Sequence, residues 1–354
     1  MSSAFLDTGI LSLKPLVTFT KRHRPTPLGL AGACPELFAG RRSLHFVSAC
    51  WALGPQDMAE IASEWRRVSG MLPDALIVFL ASTDDDVVRL SRSGVPTVLG
   101  NTSILVDEQI FKPLPDYDFA DAAYDAIYNA RFEPYKRHGL ARSIDNLALL
   151  YDAPFGGGVS AHEAGIREAL PRARFLNHEY GKGRHAPLDK TGIAREINRA
   201  RCGLCLSAVE GAMRASMEYL MCGVPIVSTH SVGGRDRYYQ APYAILVPDD
   251  ADAVREATVE LRRRKLSKLA IRDHMGRIVE FERKNFLEAV NALARTHLGA
   301  ARLFDSLAPF IGAQPFTEPE SDWSRRRLVP VAQALGVSLP PPRESPARAP
   351  ESVA

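Results

Sequence analysis

A buried run, a helix-length stretch and a second buried run follow one another between Cys202 and Thr229, and that succession constrains the fold more than any other part of the chain. Residues 202–207, Cys-Gly-Leu-Cys-Leu-Ser, read as a short apolar strand. Residues 212–222 read as a helix, because Met213, Met217, Leu220 and Met221 fall at i, i+4, i+7 and i+8 on one stripe. Gly223 supplies a C-terminal stop, and residues 224–229 give the next buried strand. A strand–helix–strand unit of this kind belongs to an α/β protein with a parallel sheet. Ligands of such sheets gather beyond the carboxyl ends of the strands, where the free N–H groups and dipole of the following helix favour an anion.

The residues at that end are Ser207-Ala208-Val209-Glu210-Gly211-Ala212-Met213-Arg214-Ala215-Ser216-Met217-Glu218. Eight helical residues span roughly 12 Å, so Glu210 and Glu218 are spaced like a sugar ring and a ribose across a diphosphate. Glu210 can accept from sugar hydroxyls, and Glu218 from a ribose diol. Gly211 lets the backbone approach a phosphate closely. Two solvated glutamates on a surface helix would show the same spacing, so the neighbouring segments decide. Downstream, Ser231-Val232-Gly233-Gly234-Arg235-Asp236 places a glycine pair at the carboxyl end of the next strand. Upstream, a strand at 124–130 runs into Arg131-Phe132-Glu133-Pro134-Tyr135-Lys136-Arg137-His138. Arg131 and Lys136 can converge there on a diphosphate, one with forked hydrogen bonds and the other as a point charge.

With these residues the chain resembles the family 4 retaining glycosyltransferases of the GT-B fold, well over residues 120–265 and in outline elsewhere. That family reads G-R-L-x-x-x-K-G, then E-G-x6-E, then a G-G loop. Arg131 and Lys136 keep the basic spacing, Glu210, Gly211 and Glu218 the acidic motif, and Gly233 and Gly234 the loop. Ala130 and Arg137 stand where the family has glycines. The resemblance implies an α/β, GT-B fold: two Rossmann-like domains facing across a cleft, the first abbreviated. It implies that Arg131 and Lys136 bind the donor diphosphate, that Glu210 contacts the transferred sugar and that Glu218 holds the ribose. Gly211, Ala212, Ser216, Gly233 and Gly234 complete the donor site.

The implied reaction moves a hexosyl group from a nucleotide diphosphate sugar to the hydroxyl of a glycan, lipid-linked or small-molecule acceptor, with retention and without metal or cofactor. The departing phosphate oxygen takes the acceptor proton. Many relatives also place a histidine on the acceptor side. His45, inside a predicted strand, is the only histidine between that strand and the second domain. A GT-B-like binding or regulatory protein without turnover is therefore the alternative. A dinucleotide-dependent oxidoreductase is disfavoured because no G-x-G-x-x-G follows the first strand.

A length of 354 residues suits about two domains. The formal charge of +3 gives no ground for a nucleic-acid partner. No basic leader and no run of about 18 apolar residues is present, which points to the cytoplasm and leaves room for a peripheral membrane contact. The five cysteines are scattered, read as free thiols, and Cys202 and Cys205, three apart in a strand, face opposite sides.

Four segments are expected: an acceptor-side domain at 1–120, a donor domain at 121–265, helices packing back on the first domain at 266–316, and a Pro-rich, partly disordered tail at 317–354. The first domain should hold strands at 43–49, 74–81 and 96–99 with helices at 56–69 and 84–93. Asn101, Thr102 and Ser103, at a strand end, are candidate sugar contacts, although a polar turn explains them too. Residues 1–42 carry no assignment, and Lys21-Arg22-His23-Arg24 reads as a solvated loop. The second domain should hold strands at 146–151, 174–177 and 243–247 and helices at 160–170, 189–200 and 251–264. Its Phe155-Gly156-Gly157-Gly158 run gives a turn or a nucleotide approach, and 177–181 a loop that reads the base.

Overall fold

The apolar runs expected between residues 43 and 99 become strands of one sheet. The computed structural model describes residues 7–22, 28–33, 35–49, 51–151 and 161–312, with 332, 333 and 336. The chain divides into two units, 1–101 with 285–354, and 102–284.

In the first unit, β1 (Asp7–Leu13) and β2 (Leu16–Arg22) form an antiparallel hairpin in the stretch left without assignment. There follow α1 (Gly29–Ala33), β3 (Ser43–Ala49), α2 (Pro55–Met71), β4 (Ala75–Ala81), α3 (Asp84–Arg92) and β5 (Thr97–Leu99). The sheet runs β1-β2-β3-β4-β5, parallel from β2 onward. Every residue of β3 is buried, as a parallel strand covered on both faces must be. On one face Val47, Ile77 and Phe79 pack with Met58 and Ile61 of α2 and Leu90 of α3. On the other, the rings of Phe19 and Phe46 lie 5.5 Å from Phe310 on a short helix, Ala308–Gly312. Thr83 caps α3 by accepting from the Asp86 N–H at 3.1 Å, and three aspartates occupy its first turn.

His45 is a core residue. Its ring nitrogens lie 2.8 Å from the hydroxyls of Thr18 and Ser43, and burial lowers its pKa to about 3. Of the expected charge run, Lys21 and Arg22 end β2, while His23 and Arg24 fall outside the described residues. So does most of the expected tail, although Ala332 is buried within this unit's core.

The second unit contains β6 (Ala126–Asn129), β7 (Leu147–Leu150), α4 (Ala161–Ala169), β8 (Arg174–Phe175), α5 (Leu176–Tyr180), α6 (Lys190–Asn198), β9 (Gly203–Cys205), α7 (Arg214–Met221), β10 (Ile226–Thr229), β11 (Ala244–Val247), α8 (Ala251–Arg263) and α9 (Lys268–Leu298). The last of these runs past the division at Asn285. The strand order is β11-β10-β9-β6-β7-β8, with all pairs parallel. Counted within this sheet the order is 6-5-4-1-2-3, the doubly wound Rossmann arrangement. The winding reverses between β6 and β9, so the crevice for a ligand lies beyond the carboxyl ends of those two strands.

Some expectations shift. The division falls at 101/102, not 120/121, because residues from Thr102 are tied into the second unit: Arg283 Nε donates to the Ile104 carbonyl, Arg272 Nη1 to that of Phe111, both at 2.8 Å, and Asn198 accepts from the Leu114 N–H at 3.0 Å. Asn101 and Ser103 are buried, and Asn101 spends its amide on the Ser82 carbonyl at 3.1 Å. They are structural residues rather than an open rim. Residues 177–180 belong to α5 instead of a loop, since the Asn177 side chain bridges the Tyr151 N–H and the Ala186 carbonyl. The α7 helix begins at Arg214, so Glu210 and Ala212 precede it and the 12 Å spacing of one continuous helix does not hold.

Candidate functional site

Three loops meet at the switch point, and backbone hydrogen bonds sew them together. The loop after β6 offers the Tyr135 carbonyl to the Ala208 N–H at 3.1 Å. The loop after β9 pairs with the one after β10 through Glu210 N–H to Val232 carbonyl and Val232 N–H to Ala208 carbonyl, each at 3.0 Å. Beneath them α7 comes close to the sheet: a Cβ on Gly203 would stand 2.2 Å from the Tyr219 ring. The Tyr219 hydroxyl accepts from the Asn129 N–H at 2.6 Å, which anchors the end of β6 to the helix.

On this frame Lys136 and Glu210 form an ion pair, with side chains only 12% and 7% exposed. Ser207 Oγ donates to the same Glu210 Oε1 at 2.9 Å. Lys136 closes a 3-10 turn, Pro134–Lys136, whose carbonyl end is held by the Tyr128 hydroxyl at 2.7 Å. Burial pushes the Tyr128 phenol up, which keeps it a donor. The Lys136 ammonium also lies 5.0 Å from the centre of the exposed Tyr135 ring.

Two arginines that the sequence reading did not assign to this site lock the strand ends. Arg137 adopts the left-handed conformation at φ 53° and ψ 45°, a region that favours glycine. Its guanidinium donates to the Leu206 carbonyl at 2.6 Å, Thr229 Oγ1 at 2.7 Å and Asp249 at 2.5 Å. Those three residues follow or end β9, β10 and β11. Arg235, 1% exposed, donates to the Ser207 carbonyl at 2.6 Å, Ser228 Oγ at 2.9 Å, Asp236 at 2.6 Å and the Thr229 carbonyl. An arginine directly after the Gly233-Gly234 pair was the available signal, but an isolated arginine looks solvated until the fold buries it.

The N-terminus of α7 has no side-chain cap, since Met213 occupies that position, and no acidic residue lies in its first turn. Ser216 turns its hydroxyl back to the Met213 carbonyl at 2.8 Å. The first-turn N–H groups thus form an end suited to an anion. Gly211 is buried and Ala212 half-buried on the approach to it. Gly233, at φ 112°, needs to be glycine, and Gly234 precedes the 3-10 turn Arg235–Tyr238. Glu218 is buried in the middle of α7, and Arg131 is exposed at the start of the loop that carries Lys136. The site therefore joins Lys136, Glu210 and Ser207 directly and brings the Gly233 loop beside them. The Phe155–Gly158 run lies outside the described residues.

Behind the Lys136 loop, Phe132 stacks on Tyr151 with ring centres 3.9 Å apart. The Tyr151 hydroxyl meets Glu163 at 3.2 Å, Arg167 at 3.3 Å and His178. Burial lowers the His178 pKa, and the Arg167 charge adds to that. Cys202 and Cys205 are free and buried, and burial pushes both thiols up to about 12.

No family model matches the chain, and no curated protein matches it. The chain is similar to solved structures at low identity. One is HepE of Anabaena in complex with UDP, at 12% identity over 68% of this chain and 72% of that one, with a TM-score of 0.44. Another is the pneumococcal O-GlcNAc transferase GtfA in complex with UDP and GlcNAc, at 14% identity, 73% and 53% coverage and a TM-score of 0.47. A third is sucrose-phosphate synthase from Thermosynechococcus elongatus, at 15%, 68% and 67%, with a TM-score of 0.42.

Proposed function

We propose that the chain is a glycosyltransferase of GT-B type that moves a hexosyl group from a nucleotide diphosphate sugar to an acceptor hydroxyl, with retention and without a metal. The observation that carries this reading is the Lys136–Glu210 pair, backed by Ser207, at the switch point of a Rossmann sheet and beside the uncapped N-terminus of α7. A cation, a carboxylate and free backbone N–H groups are what a phosphorylated polyol requires. The residues 102–284 are the donor half in this reading.

Breaking the bond between the anomeric carbon and the diphosphate places negative charge on the leaving oxygen. Lys136, Arg131 and the α7 N-terminus stabilise that charge more than they stabilise the intact donor, which lowers the barrier. Glu210 accepts from hydroxyls of the sugar as it becomes cation-like, Glu218 takes the ribose diol, and Gly211, Ala212, Ser216, Gly233 and Gly234 provide backbone near the donor. The acceptor oxygen bonds to the anomeric carbon on the face that the phosphate leaves, and its proton passes to the phosphate oxygen. The acceptor is a glycan, a lipid-linked saccharide or a small molecule, in the cytoplasm. No helix among the described residues is long and apolar enough to cross a membrane.

A thermal-shift screen of UDP-, GDP-, ADP- and TDP-sugars tests the donor assignment, since a ligand bound only by the native state raises Tm. A rise with one base series, followed by sugar transfer or donor hydrolysis, is the expected result. No shift with any donor and no turnover removes the proposal. The burial of His45 favours a second reading, a nucleotide-sugar binder without turnover. A clear shift with no hydrolysis or transfer across a broad acceptor panel would select it.

A further inference from the structure

One cavity of the same unit is lined by residues that the donor reading leaves unused. It has a volume of about 530 Å³ and lies between the 3-10 turn Arg235–Tyr238 and the middle of α9. That volume falls in the range of small-molecule sites. Its wall is held rigidly, because Arg235, at the head of the turn, is fixed to the ends of β9 and β10 by the bonds described above, while Met275 and Val279 of α9 are buried.

The lining has two characters. Arg237 and Arg277 supply two positive charges, and Glu282, 3.9 Å from Arg237, offsets one of them. Arg277 is exposed, and no ion pair among the described residues involves it. Beside the arginines Phe281 leaves 63% of its surface in solvent, an apolar ring that a ligand could cover. His274 Nε2 lies 3.0 Å from Gln240 Oε1, which fixes both side chains on one wall of the groove. A surplus cation, an exposed aromatic face and a fixed polar pair favour one ligand chemistry.

We propose that this groove is a second small-molecule site, for a compound that carries a phosphate or carboxylate on an apolar or ring-shaped body. The anion pairs with Arg277 and Arg237, and the ring covers Phe281. The site is separate from the donor pocket and does not depend on the glycosyltransferase reading.

Anilinonaphthalenesulfonate, an anion on an aromatic body whose fluorescence rises in apolar surroundings, is the probe. The full chain should bind it at one site, with phenyl phosphate displacing it and benzyl alcohol failing to. Arg277→Glu and Phe281→Ser each alter an exposed side chain, so both variants should fold, and each should weaken probe binding by about tenfold or more. Unchanged binding in both variants overturns the proposal, as does displacement by benzyl alcohol as effective as by phenyl phosphate. Displacement by UDP with no effect of either substitution assigns the probe to the donor pocket and also overturns it. Loss of donor binding in Lys136→Ala with the probe titration unchanged separates the two sites.

Discussion

Lys136 and Glu210, 74 residues apart in sequence, meet as an ion pair at the junction of β6 and β9, and Ser207 donates to the same carboxylate oxygen. Each charge is neutralised before a ligand arrives. In the proposed reaction, a diphosphate that draws the ammonium toward itself would leave Glu210 free to accept from a sugar hydroxyl, coupling recognition of the two ends of the donor.

The pair predicts a thermodynamic cycle. Lys136→Met leaves a carboxylate 7% exposed with Ser207 as its remaining partner here, and Glu210→Gln leaves the ammonium without its counter-charge. Removing one member of such a buried pair costs about 3 kcal/mol, whereas replacing both is near neutral. Urea unfolding should show both single variants destabilised and the double variant restored toward wild type. Transfer should be lost in all three by about a hundredfold or more. A double variant no more stable than the singles would show that the pair is not an energetic unit.

Arg137 predicts an unusual order of stabilities. Its left-handed backbone costs about 1–2 kcal/mol for a residue with a Cβ, and its guanidinium bonds return about 1.5–3 kcal/mol for each charged group satisfied. Arg137→Ala loses the bonds and keeps the strain, while Arg137→Gly loses the bonds and relieves it. Denaturant midpoints should therefore rank wild type, then glycine, then alanine, with glycine above alanine by about 1 kcal/mol. Alanine equal to or above glycine would refute the strain.

The βαβ unit around Glu210 was legible because its signals are local: an apolar stripe at helical spacing, a stop glycine and a β-branched strand. Gly223 indeed ends α7 at φ 72°. The helix start was misplaced by two residues because Ala212 and Met213 are good helix formers, while the backbone there is committed to presenting Glu210. The β1–β2 hairpin escaped notice because its alternation mixes Thr, Ser and Lys with apolar residues. The Arg137 and Arg235 clamps escaped it for another reason. Each holds a main-chain carbonyl at a strand end, which leaves no mark in sequence, together with side chains that only the folded sheet brings near, and the Lys136–Glu210 contact likewise depends on a strand order that only the folded sheet sets.

Gly203 and Tyr219 form the packing joint under the site. A methyl group on Gly203 would meet the Tyr219 ring at 2.2 Å, inside any van der Waals contact. Gly203→Ala should destabilise by about 1–3 kcal/mol or more through overpacking. Tyr219→Phe removes the acceptor for the Asn129 N–H and should cost about 1–3 kcal/mol. Both are read by thermal unfolding, and a neutral Gly203→Ala would mean that α7 moves off the sheet without penalty.

Acid sensitivity should come from buried histidines. Burial lowers both His45 and His138 from about 6.5 to about 3, with His297 adding to the shift at His45 and the Ala130 carbonyl opposing it at His138. Because the folded state holds fewer protons than the unfolded state between those values, stability is full above pH 6.5 and is lost as pH falls from 6.5 toward 3. One such histidine costs about 2 kcal/mol at pH 5. His138 packs on the rings of Tyr128 and Phe132, so His138→Phe keeps an aromatic filler and removes the titration. Urea unfolding at pH 7.5 and pH 5 should show the variant losing about 2 kcal/mol less than wild type over that interval. An equal loss in both proteins would mean that His138 is protonated in the native state at pH 5, and its burial would then not govern its charge.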